Sequence, residues 1–201
     1  MSRPALFLDR DGVINVDHGH VGRKEEFDFI PGIFELVRAA NAADYAVLVV
    51  TNQAGIGRGL YSECDFRGLT AWMMGEFEAA DARIDCVYYC PYHPQHGIGV
   101  YRRESTGRKP SPGMFARAAL DWHLDFPSSI MVGDKTSDLV AASAVGITNL
   151  YLFGSTTPMS NACQNLELIH SFRQLLPCIA KRTETSTGLV DLPVDRIICV
   201  D

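Results

Sequence analysis

Short apolar runs alternate along this chain with longer stretches in which apolar residues recur at helical spacing. Uninterrupted runs of this length are typical of strands buried on both faces of a parallel sheet. The predicted strands cover residues 5–8, 46–51, a run ending near Cys90, 129–132 and 148–153. The predicted helices cover about 32–43, 62–81, a segment after Pro112, and 137–145. This order predicts an α/β fold with a doubly wound, mostly parallel sheet.

The remaining segments are less regular. Residues 91–108 are polar and rich in Gly, Pro and His, which predicts a long loop. Residues 165–179 predict a closing strand and helix, whereas 181–201 begins polar and ends in an apolar run that the pattern leaves unassigned. We therefore expect one domain over residues 1–180, with 91–108 as a minimal cap loop, followed by a tail.

Length and charge narrow the class of protein. The 201 residues, 47% of them hydrophobic, provide one substantial core and argue against two equal domains. Lys plus Arg total 18 against 24 for Asp plus Glu, a net charge of −6, so no basic stripe is available to bind nucleic acid. No apolar stretch approaches the roughly 20 residues that span a bilayer, and the N-terminal apolar segment is too short for a signal peptide.

These absences predict a cytosolic protein, and in that reducing compartment the cysteines are expected to be free thiols. None of the six forms a Cys-x-x-Cys pair, a distribution typical of free thiols rather than disulfides. We therefore expect a cytoplasmic monomer that acts on a small molecule, with no membrane or nucleic-acid partner. The six cysteines are Cys64, Cys86, Cys90, Cys163, Cys178 and Cys199.

Acidic residues stand where two predicted strands end. Asp9 and Asp11 follow the first strand in an Asp-Arg-Asp-Gly segment, and Asp134 follows the fourth strand, with Asp138 one helical turn further on. Open α/β sheets bind ligands outside the carboxyl ends of their strands, which is where these acids are expected to lie. Each segment alone is also typical of a solvated turn or of an acid in the first turn of a helix. The functional interpretation therefore depends on their combination.

Two further motifs supply groups suited to phosphate. Thr51 ends the second strand and opens the glycine-rich segment 51–59, in which backbone N–H groups, the Thr51 hydroxyl and Asn52 can face an anion. Arg108 and Lys109 precede a proline-punctuated helix start, and a lysine at the sheet edge can offset the charge that develops in phosphoryl transfer. In isolation, both segments are also typical of ordinary surface loops.

If the four motifs lie together in the fold, their side chains indicate a particular type of reaction. Asp9, Asp11 and Asp134 would raise one another's pKa unless a cation is bound. Oxygen ligands with room for water and phosphate favour Mg²⁺ over zinc. With Mg²⁺ and Lys109 offsetting a phosphate, the simplest reaction is in-line attack by a carboxylate on phosphorus, followed by hydrolysis of the aspartyl-phosphate. The residues therefore predict a phosphatase or phosphotransferase.

The order Asp-x-Asp-Gly, Thr, Lys and Gly-Asp-x-x-x-Asp over residues 9–138 resembles that of the haloacid dehalogenase superfamily, which has a Rossmann-like fold. The resemblance implies that Asp9 is the nucleophile and that Asp11 protonates the leaving oxygen and then activates water. It implies that Thr51 and Lys109 hold the phosphoryl group. It also implies Mg²⁺ ligation by Asp9, the Asp11 backbone carbonyl and Asp134, with Asp138 orienting Lys109 or a metal-bound water.

Longer segments resemble one family of that superfamily, the D-glycero-D-manno-heptose 1,7-bisphosphate 7-phosphatases. These segments are 9–21, 29–32, 51–59 and 108–114, and the match covers roughly residues 5–155. It implies removal of the 7-phosphate in heptose nucleotide biosynthesis. Arg108 and Lys135 would supply counter-charge for the phosphate that is not cleaved. The implied substrate contacts are Asp17, His18, Gly19, His20, Thr51, Asn52, Gln53, Ala54, Arg108, Lys109 and Lys135.

One loop departs from this family, whose members usually carry zinc ligands as Cys-x-His and then Cys-x-Cys before the Arg-Lys pair. Here the segments read Cys-Pro-Tyr-His from Cys90 and Ser-Thr-Gly-Arg from Ser105, so only Cys90 of the four ligands remains. A tetrahedral site cannot close on one thiolate. We expect no structural zinc, with His93 and His96 as loop residues.

Three alternatives stay open. Histidinol-phosphate phosphatases share the Asp-x-Asp, Thr-Asn-Gln and Arg-Lys-Pro features, although residues 16–21 and 29–32 are more similar to the heptose family. A polynucleotide 3′-phosphatase would share residues 51–59, but the acidic balance argues against it. A catalytically silent sugar-phosphate sensor could use the same fold, yet every core catalytic residue is present.

Overall fold

Seven parallel strands run through the centre of the computed structural model, which describes residues 2–154, 166–180 and 195–201. The strand order across the sheet is β6-β5-β4-β1-β2-β3-β7, and every pair of neighbours is parallel. The predicted α/β class is therefore confirmed, with a wholly parallel sheet over these residues. The strands are β1 (Ala5–Leu8), β2 (Ala46–Asn52), β3 (Cys86–Cys90), β4 (Ile130–Gly133), β5 (Asn149–Phe153), β6 (Leu166–Ile169) and β7 (Ile197–Cys199).

Helices cover both faces of the sheet, and their positions agree with the predicted segments to within a few residues. Ser62 begins the longest helix because its side chain accepts a hydrogen bond from the Asp65 amide, while Asp65 accepts one from the Ser62 amide. Such a capping box stabilises a helix start by about 1 kcal/mol. The helices are α1 (Ile33–Ala42), α2 (Ala54–Gly57), α3 (Glu63–Ala79), α4 (Gly113–Asp121), α5 (Thr136–Ser143) and α6 (Leu176–Ala180). The helical turn α2 is a correction, because the sequence predicted only a glycine-rich loop there.

Two hydrophobic layers follow from the alternation of side chains along the strands. Leu6 and Leu8 point into the layer that packs against α1 and α3, whereas Ala5 and Phe7 point into the layer against α4 and α5. All four residues of β1 are fully buried, as expected for a central strand of a sheet covered on both sides. No helix in the described parts of the chain has the length and apolar composition needed to cross a membrane.

The strand order creates one switch point. The chain passes from β1 to β2 and β3 on one side, then returns to β4 on the other side of β1. The loops that leave the carboxyl ends of β1 and β4 therefore diverge and open a crevice between them. Asp9 directly follows β1 and Asp134 directly follows β4, so both acids stand at this crevice.

Residues 195–201 brace the loop formed by residues 91–108, which we call the mouth loop. Strand β7, which the sequence left unassigned, pairs with β3 and carries the sheet past residue 180. Asp201 forms an ion pair with Arg103, and its backbone oxygen accepts a hydrogen bond from the Thr106 hydroxyl (2.9 Å). Arg103 also lies over the Tyr92 ring, 4.0 Å from its centroid. The rest of the predicted tail, 181–194, lies outside the described residues, as does Cys163.

Candidate active site

A cavity of about 540 Å³ opens at the carboxyl ends of β1 and β2. Its volume lies within the usual range for small-molecule sites. Of the sequence-predicted site residues, His18 and Asp134 are not in its lining. The Asp134 oxygens approach those of Asp9 and Asp138, whereas His18 Nε2 lies 2.8 Å from Asp28 Oδ2 on the surface. The lining includes the predicted residues Asp9, Asp11, Asp17, Gly19, His20, Thr51, Asn52, Gln53, Ala54, Arg108, Lys109, Lys135 and Asp138.

Three carboxylates meet at the switch point. Asp9, Asp134 and Asp138 each place an oxygen within 4.8 Å of the others. Burial raises the pKa of Asp9 to about 7, and the charges of Asp138 and Asp134 act in the same direction against the opposing effect of Lys109. Burial also raises the pKa of Asp134. Carboxylates that are buried close together and have raised pKa values are characteristic of functional sites.

Lys109 is fixed against this group by three contacts. Its Nζ lies 3.0 Å from Asp9 Oδ1 and 2.8 Å from Asp138 Oδ1, and it donates to the Val50 carbonyl at 2.7 Å. Burial favours the neutral amine, but Asp138 and Asp9 outweigh it, so the pKa of Lys109 is raised. The Asn52 amide holds the Lys109 backbone, donating to its carbonyl (3.1 Å) and accepting from its N–H (3.0 Å). The ammonium group is therefore charged and positioned beside Asp9.

The residues at this point suit Mg²⁺. The donor set consists only of carboxylate oxygens, which Mg²⁺ prefers, and Asp134 Oδ1 is buried with no hydrogen-bond partner among the described residues. Gly12 permits the approach of Asp134 because a Cβ at Gly12 would lie 2.5 Å from Asp134 Cγ, and its φ of +89° favours glycine. The Asp11 carboxylate is not part of this cluster of described residues, which leaves its backbone carbonyl as the group the resemblance implies.

A buried arginine that the sequence analysis missed holds the Asp11 carboxylate. Arg10 is 1% exposed, and its Nε and Nη2 donate to both Asp11 oxygens at 2.9–3.2 Å. Its Nη2 also donates to the Val21 carbonyl at 2.7 Å. The Asn15 amide donates to Asp11 Oδ1 at 3.1 Å. A cation placed between two acids in the sequence was a signal for Arg10, but nothing in the sequence indicated Asn15.

A hydrogen-bonded chain links the two strand ends. Gln53 Nε2 donates to Thr51 Oγ1 (2.8 Å) and to Asp11 Oδ2 (3.0 Å). The Tyr61 hydroxyl donates to Gln53 Oε1 at 2.7 Å, which fixes the orientation of the amide. Gln53 therefore holds the Thr51 hydroxyl and the Asp11 carboxylate in fixed positions relative to each other. Tyr61 had no signal in the sequence, because its role depends on the path of the chain after α2.

Lys135 occupies a different environment from the one the sequence suggested. Its Nζ lies 3.2 Å from Asp17 Oδ2 and 3.1 Å from Asp134 Oδ2. Burial opposes its charge, but Asp134 and then Asp9 and Asp17 outweigh that effect and raise the pKa of Lys135. Lys135 therefore already has two carboxylate partners.

The lining of the cavity also contains Arg58, Tyr61, His93 and Ser137, which the sequence analysis did not select.

The raised pKa of Asp9 predicts how stability changes with pH in the absence of metal. The folded state keeps a proton that an unfolded Asp, with a pKa of about 3.9, releases. The Asp9 contribution to the free energy of unfolding is therefore present below about pH 4 and is lost as pH rises toward about 7. Thermal unfolding in EDTA should show the melting temperature falling across pH 5–8.

Two comparisons isolate this effect. Asp9→Asn should flatten the pH dependence, and saturating Mg²⁺ should do the same for the unmodified protein because a cation favours the ionised carboxylates. An unchanged slope in Asp9→Asn would assign the pH dependence to other groups.

A carboxylate cluster with a buried lysine, at the switch point of a parallel α/β sheet, defines a phosphate-hydrolysing enzyme of the haloacid dehalogenase type. A family model described as HAD-hydrolase-like matches residues 106–171. The chain belongs to the D-glycero-D-manno-heptose-1,7-bisphosphate 7-phosphatase family of this superfamily, as its relatives at 40–50% identity show. The resemblance stated from the sequence is therefore confirmed.

The relatives cover most of both chains. The D-glycero-alpha-D-manno-heptose-1,7-bisphosphate 7-phosphatase of Burkholderia mallei is 50% identical, over 88% of this chain and 94% of that protein. The beta-heptose enzyme of Vibrio cholerae is 45% identical, over 84% and 91%. A HAD-like phosphatase structure from Mesorhizobium loti superposes with a TM-score of 0.84 at 30% identity, covering 92% and 90%. A D,D-heptose 1.7-bisphosphate phosphatase structure from B. bronchiseptica, complexed with magnesium and phosphate, shares the fold, with a TM-score of 0.73 at 24% identity over 89% of this chain and 98% of that chain.

Proposed function

We propose that this chain removes the 7-phosphate of a D-glycero-D-manno-heptose 1,7-bisphosphate, with Mg²⁺ bound at the carboxylate cluster. The observation that supports this most directly is the 3.0 Å contact between Asp9 Oδ1 and Lys109 Nζ inside that cluster. The contact places a nucleophilic oxygen and a fixed positive charge at the same point. The names of the relatives supply the substrate, and they include both an alpha and a beta heptose.

The reaction proceeds in two displacements at phosphorus. An Asp9 carboxylate oxygen forms a bond to phosphorus while the bond from phosphorus to the sugar oxygen breaks, and Asp11, in the general-acid role that the resemblance implies, gives a proton to that oxygen. Asp11 then takes a proton from water, whose oxygen attacks the phosphorus of the aspartyl-phosphate. Asp9 is regenerated and inorganic phosphate leaves. Lys109 and the Thr51 hydroxyl hold the phosphoryl oxygens throughout.

The metal adds to this charge stabilisation. Asp9, the Asp11 carbonyl and Asp134 would hold Mg²⁺, which neutralises part of the phosphoryl charge when bound. Asp138 positions Lys109 through its 2.8 Å ion pair. Arg10 positions Asp11, since its two-pronged contact restricts the carboxylate to one orientation.

The sugar is expected to lie in the remainder of the cavity. Asp17, Gly19, His20, Asn52 and Ala54 line it and supply polar groups suited to hydroxyls. Arg108 and Lys135 are the cations predicted to serve the phosphate that remains. His18 joins this set only if it leaves Asp28, and we keep it as a predicted contact on the sequence resemblance alone.

A substrate comparison tests the proposal. With Mg²⁺ present, we expect both anomers of heptose 1,7-bisphosphate to be hydrolysed, one of them preferred, with kcat/KM at least about 100-fold above that for histidinol phosphate and for a 3′-phosphorylated oligonucleotide. EDTA should remove activity and Mg²⁺ should restore it. Higher kcat/KM on histidinol phosphate would contradict the substrate assignment while leaving the phosphatase chemistry in place.

We further infer that the enzyme works as a cytoplasmic monomer without a structural zinc, nucleic acid or membrane partner. The net charge of −6 and the free thiols of Cys64, Cys86, Cys90, Cys178 and Cys199 are consistent with this. In the mouth loop, Cys90 Sγ donates to the Ser105 hydroxyl at 3.5 Å, so a hydroxyl stands where a second thiolate would be needed. Elemental analysis showing one zinc per chain after purification would contradict the zinc inference.

A further inference from the structure

A carboxylate that the hydrolytic chemistry does not use fixes the mouth loop to the start of α3. Glu63 is the first residue of α3, directly after the Ser62 cap. Its Oε1 accepts a hydrogen bond from the Tyr101 hydroxyl at 2.7 Å, and its Oε2 accepts one from the Tyr89 hydroxyl at 2.6 Å. Tyr101 belongs to the mouth loop and Tyr89 to β3, so this one side chain joins three parts of the fold.

We propose that Glu63 and Tyr101 are positioning residues, which hold the mouth loop in the place that gives the substrate its affinity for the cavity. Neither residue lines the cavity, so both act through the loop and not by contact with the substrate. The assignment rests on the proposed function for the identity of that substrate.

Both tyrosines are neutral donors to the Glu63 carboxylate. The hydrogen bond to Glu63 is the largest influence on Tyr101 and, together with burial, raises its pKa to about 12. Burial and then the Glu63 hydrogen bond raise the pKa of Tyr89 as well. Hydroxyl donors and an ionised carboxylate form charge-assisted hydrogen bonds, which are shorter and stronger than bonds between neutral groups. The distances of 2.6 and 2.7 Å are typical of such bonds.

Tyr101 is central to the hydrogen bonding within the mouth loop. Its carbonyl accepts from the backbone N–H groups of His93 and Arg103, each at 3.1 Å. The Gly97 backbone packs directly against this carbonyl, because a Cβ at Gly97 would collide with its oxygen. His93 in turn lines the cavity. A displacement of Tyr101 would therefore move the wall of the cavity through His93.

The mouth loop is held from two sides. Asp201 contacts Arg103 and Thr106 on one side, and Glu63 contacts Tyr101 on the other. Loss of the Glu63 contact should therefore shift the loop without releasing it. The expected result is a partial loss of substrate affinity in a folded enzyme.

The residues on either side of the Ser62 cap serve different ends of the cavity. Tyr61 precedes the cap and donates to Gln53 at the hydrolytic end. Glu63 follows the cap and contacts the mouth loop. Because Glu63 reaches the loop and not the hydrolytic groups, its loss should raise KM and leave kcat nearly unchanged.

Tyr101→Phe tests this role, because it removes one hydroxyl and keeps the ring. We expect the KM for the preferred anomer of heptose 1,7-bisphosphate to rise about 10-fold, with kcat changed by less than about 3-fold, as for the loss of one charge-assisted hydrogen bond outside the chemical step. Glu63→Gln should raise KM by a similar factor. The kcat/KM for p-nitrophenyl phosphate, which has no sugar to reach the mouth loop, should change by less than about 3-fold.

Tyr89→Phe is the matched control. It removes the other hydrogen bond to the same carboxylate, but the lost donor belongs to a strand of the sheet instead of the loop. The melting temperature should fall at least as far as in Tyr101→Phe, whereas KM should stay within about 2-fold of the unmodified enzyme.

Hydrogen exchange gives a second measurement that needs no substrate. In the free enzyme, amides of residues 91–108 should exchange about 10-fold faster in Tyr101→Phe and Glu63→Gln, and at the normal rate in Tyr89→Phe. Normal exchange in Tyr101→Phe would overturn the proposal, and so would faster exchange with an unchanged KM. Equal rises in KM in Tyr101→Phe and Tyr89→Phe would also overturn it, since they would indicate a general structural defect.

Failure of the proposed function is a separate result, in which the unmodified enzyme leaves heptose 1,7-bisphosphate intact. The KM comparison is then made with histidinol phosphate or the 3′-phosphorylated oligonucleotide, whichever is hydrolysed faster. The exchange rates of residues 91–108 keep their meaning in that case, because they are measured without substrate.

Discussion

Asp9→Asn is expected to lower kcat by roughly 10⁴-fold or more, because the site then lacks the carboxylate that we propose as its nucleophile. The amide cannot form the acyl-phosphate bond, and the other groups, including Lys109 and Asp11, can only position the phosphate for direct attack by water. The substitution preserves the size of the side chain and removes a carboxylate from a site where three crowd together. The fold should therefore survive, with a melting temperature in EDTA at pH 8 at least equal to that of the unmodified protein.

The loss should be measured with both heptose 1,7-bisphosphate and p-nitrophenyl phosphate, because a nucleophile is needed for every substrate. Asp81→Asn provides the control: Asp81 is exposed after α3, and its φ of +54° is well tolerated by Asn. If Asp9→Asn hydrolyses p-nitrophenyl phosphate at the normal rate, Asp9 is not the nucleophile.

Lys109→Met should reduce both stability and activity. Methionine nearly matches the length of lysine but leaves the buried Asp138 carboxylate without its 2.8 Å partner. Removing one member of a buried ion pair costs about 3–5 kcal/mol, so the urea midpoint should fall clearly. Loss of the fixed charge beside Asp9 should lower kcat by about 10³-fold.

A double substitution separates these two effects. In Lys109→Met with Asp138→Asn, no unpaired charge remains at position 138, and Asn can still accept the hydrogen bond from the Lys135 amide. Much of the lost stability should return, whereas kcat should stay low. Recovery of kcat together with stability would show that Lys109 acts only in folding.

The positions of the catalytic motifs were predictable because they follow from topology. In a parallel sheet, residues that end neighbouring strands share an edge, so Asp9, Thr51 and Asp134 needed only a correct strand assignment to be placed together. For Lys109, the residues alone also allowed a solvated loop lysine, and the resemblance supplied its expected place at the phosphoryl group. Its position depends on the carbonyl of Val50 and on the Asn52 amide, which no sequence pattern encodes.

The sequence did not predict which side chains in the cavity pair with one another. Lys135 and Arg108 had the same status in the sequence, yet Lys135 contacts two carboxylates and Arg108 none that the described residues show. Gln53, expected at the substrate, also links Thr51 to Asp11. Strand β7 escaped assignment because three residues at a sheet edge carry too little periodic signal.

The contacts that hold the mouth loop have a consequence for the synthesis of the protein on the ribosome. Arg103 and Thr106 find their Asp201 partner, and β3 its outer neighbour, only in residues that are translated after all the catalytic motifs. A nascent chain that has emerged from the ribosome as far as α6 already contains every one of those motifs but lacks the segment that shapes the entrance. The mouth loop therefore acquires these contacts only after β7 and Asp201 have been translated, later than every residue that lines the cavity.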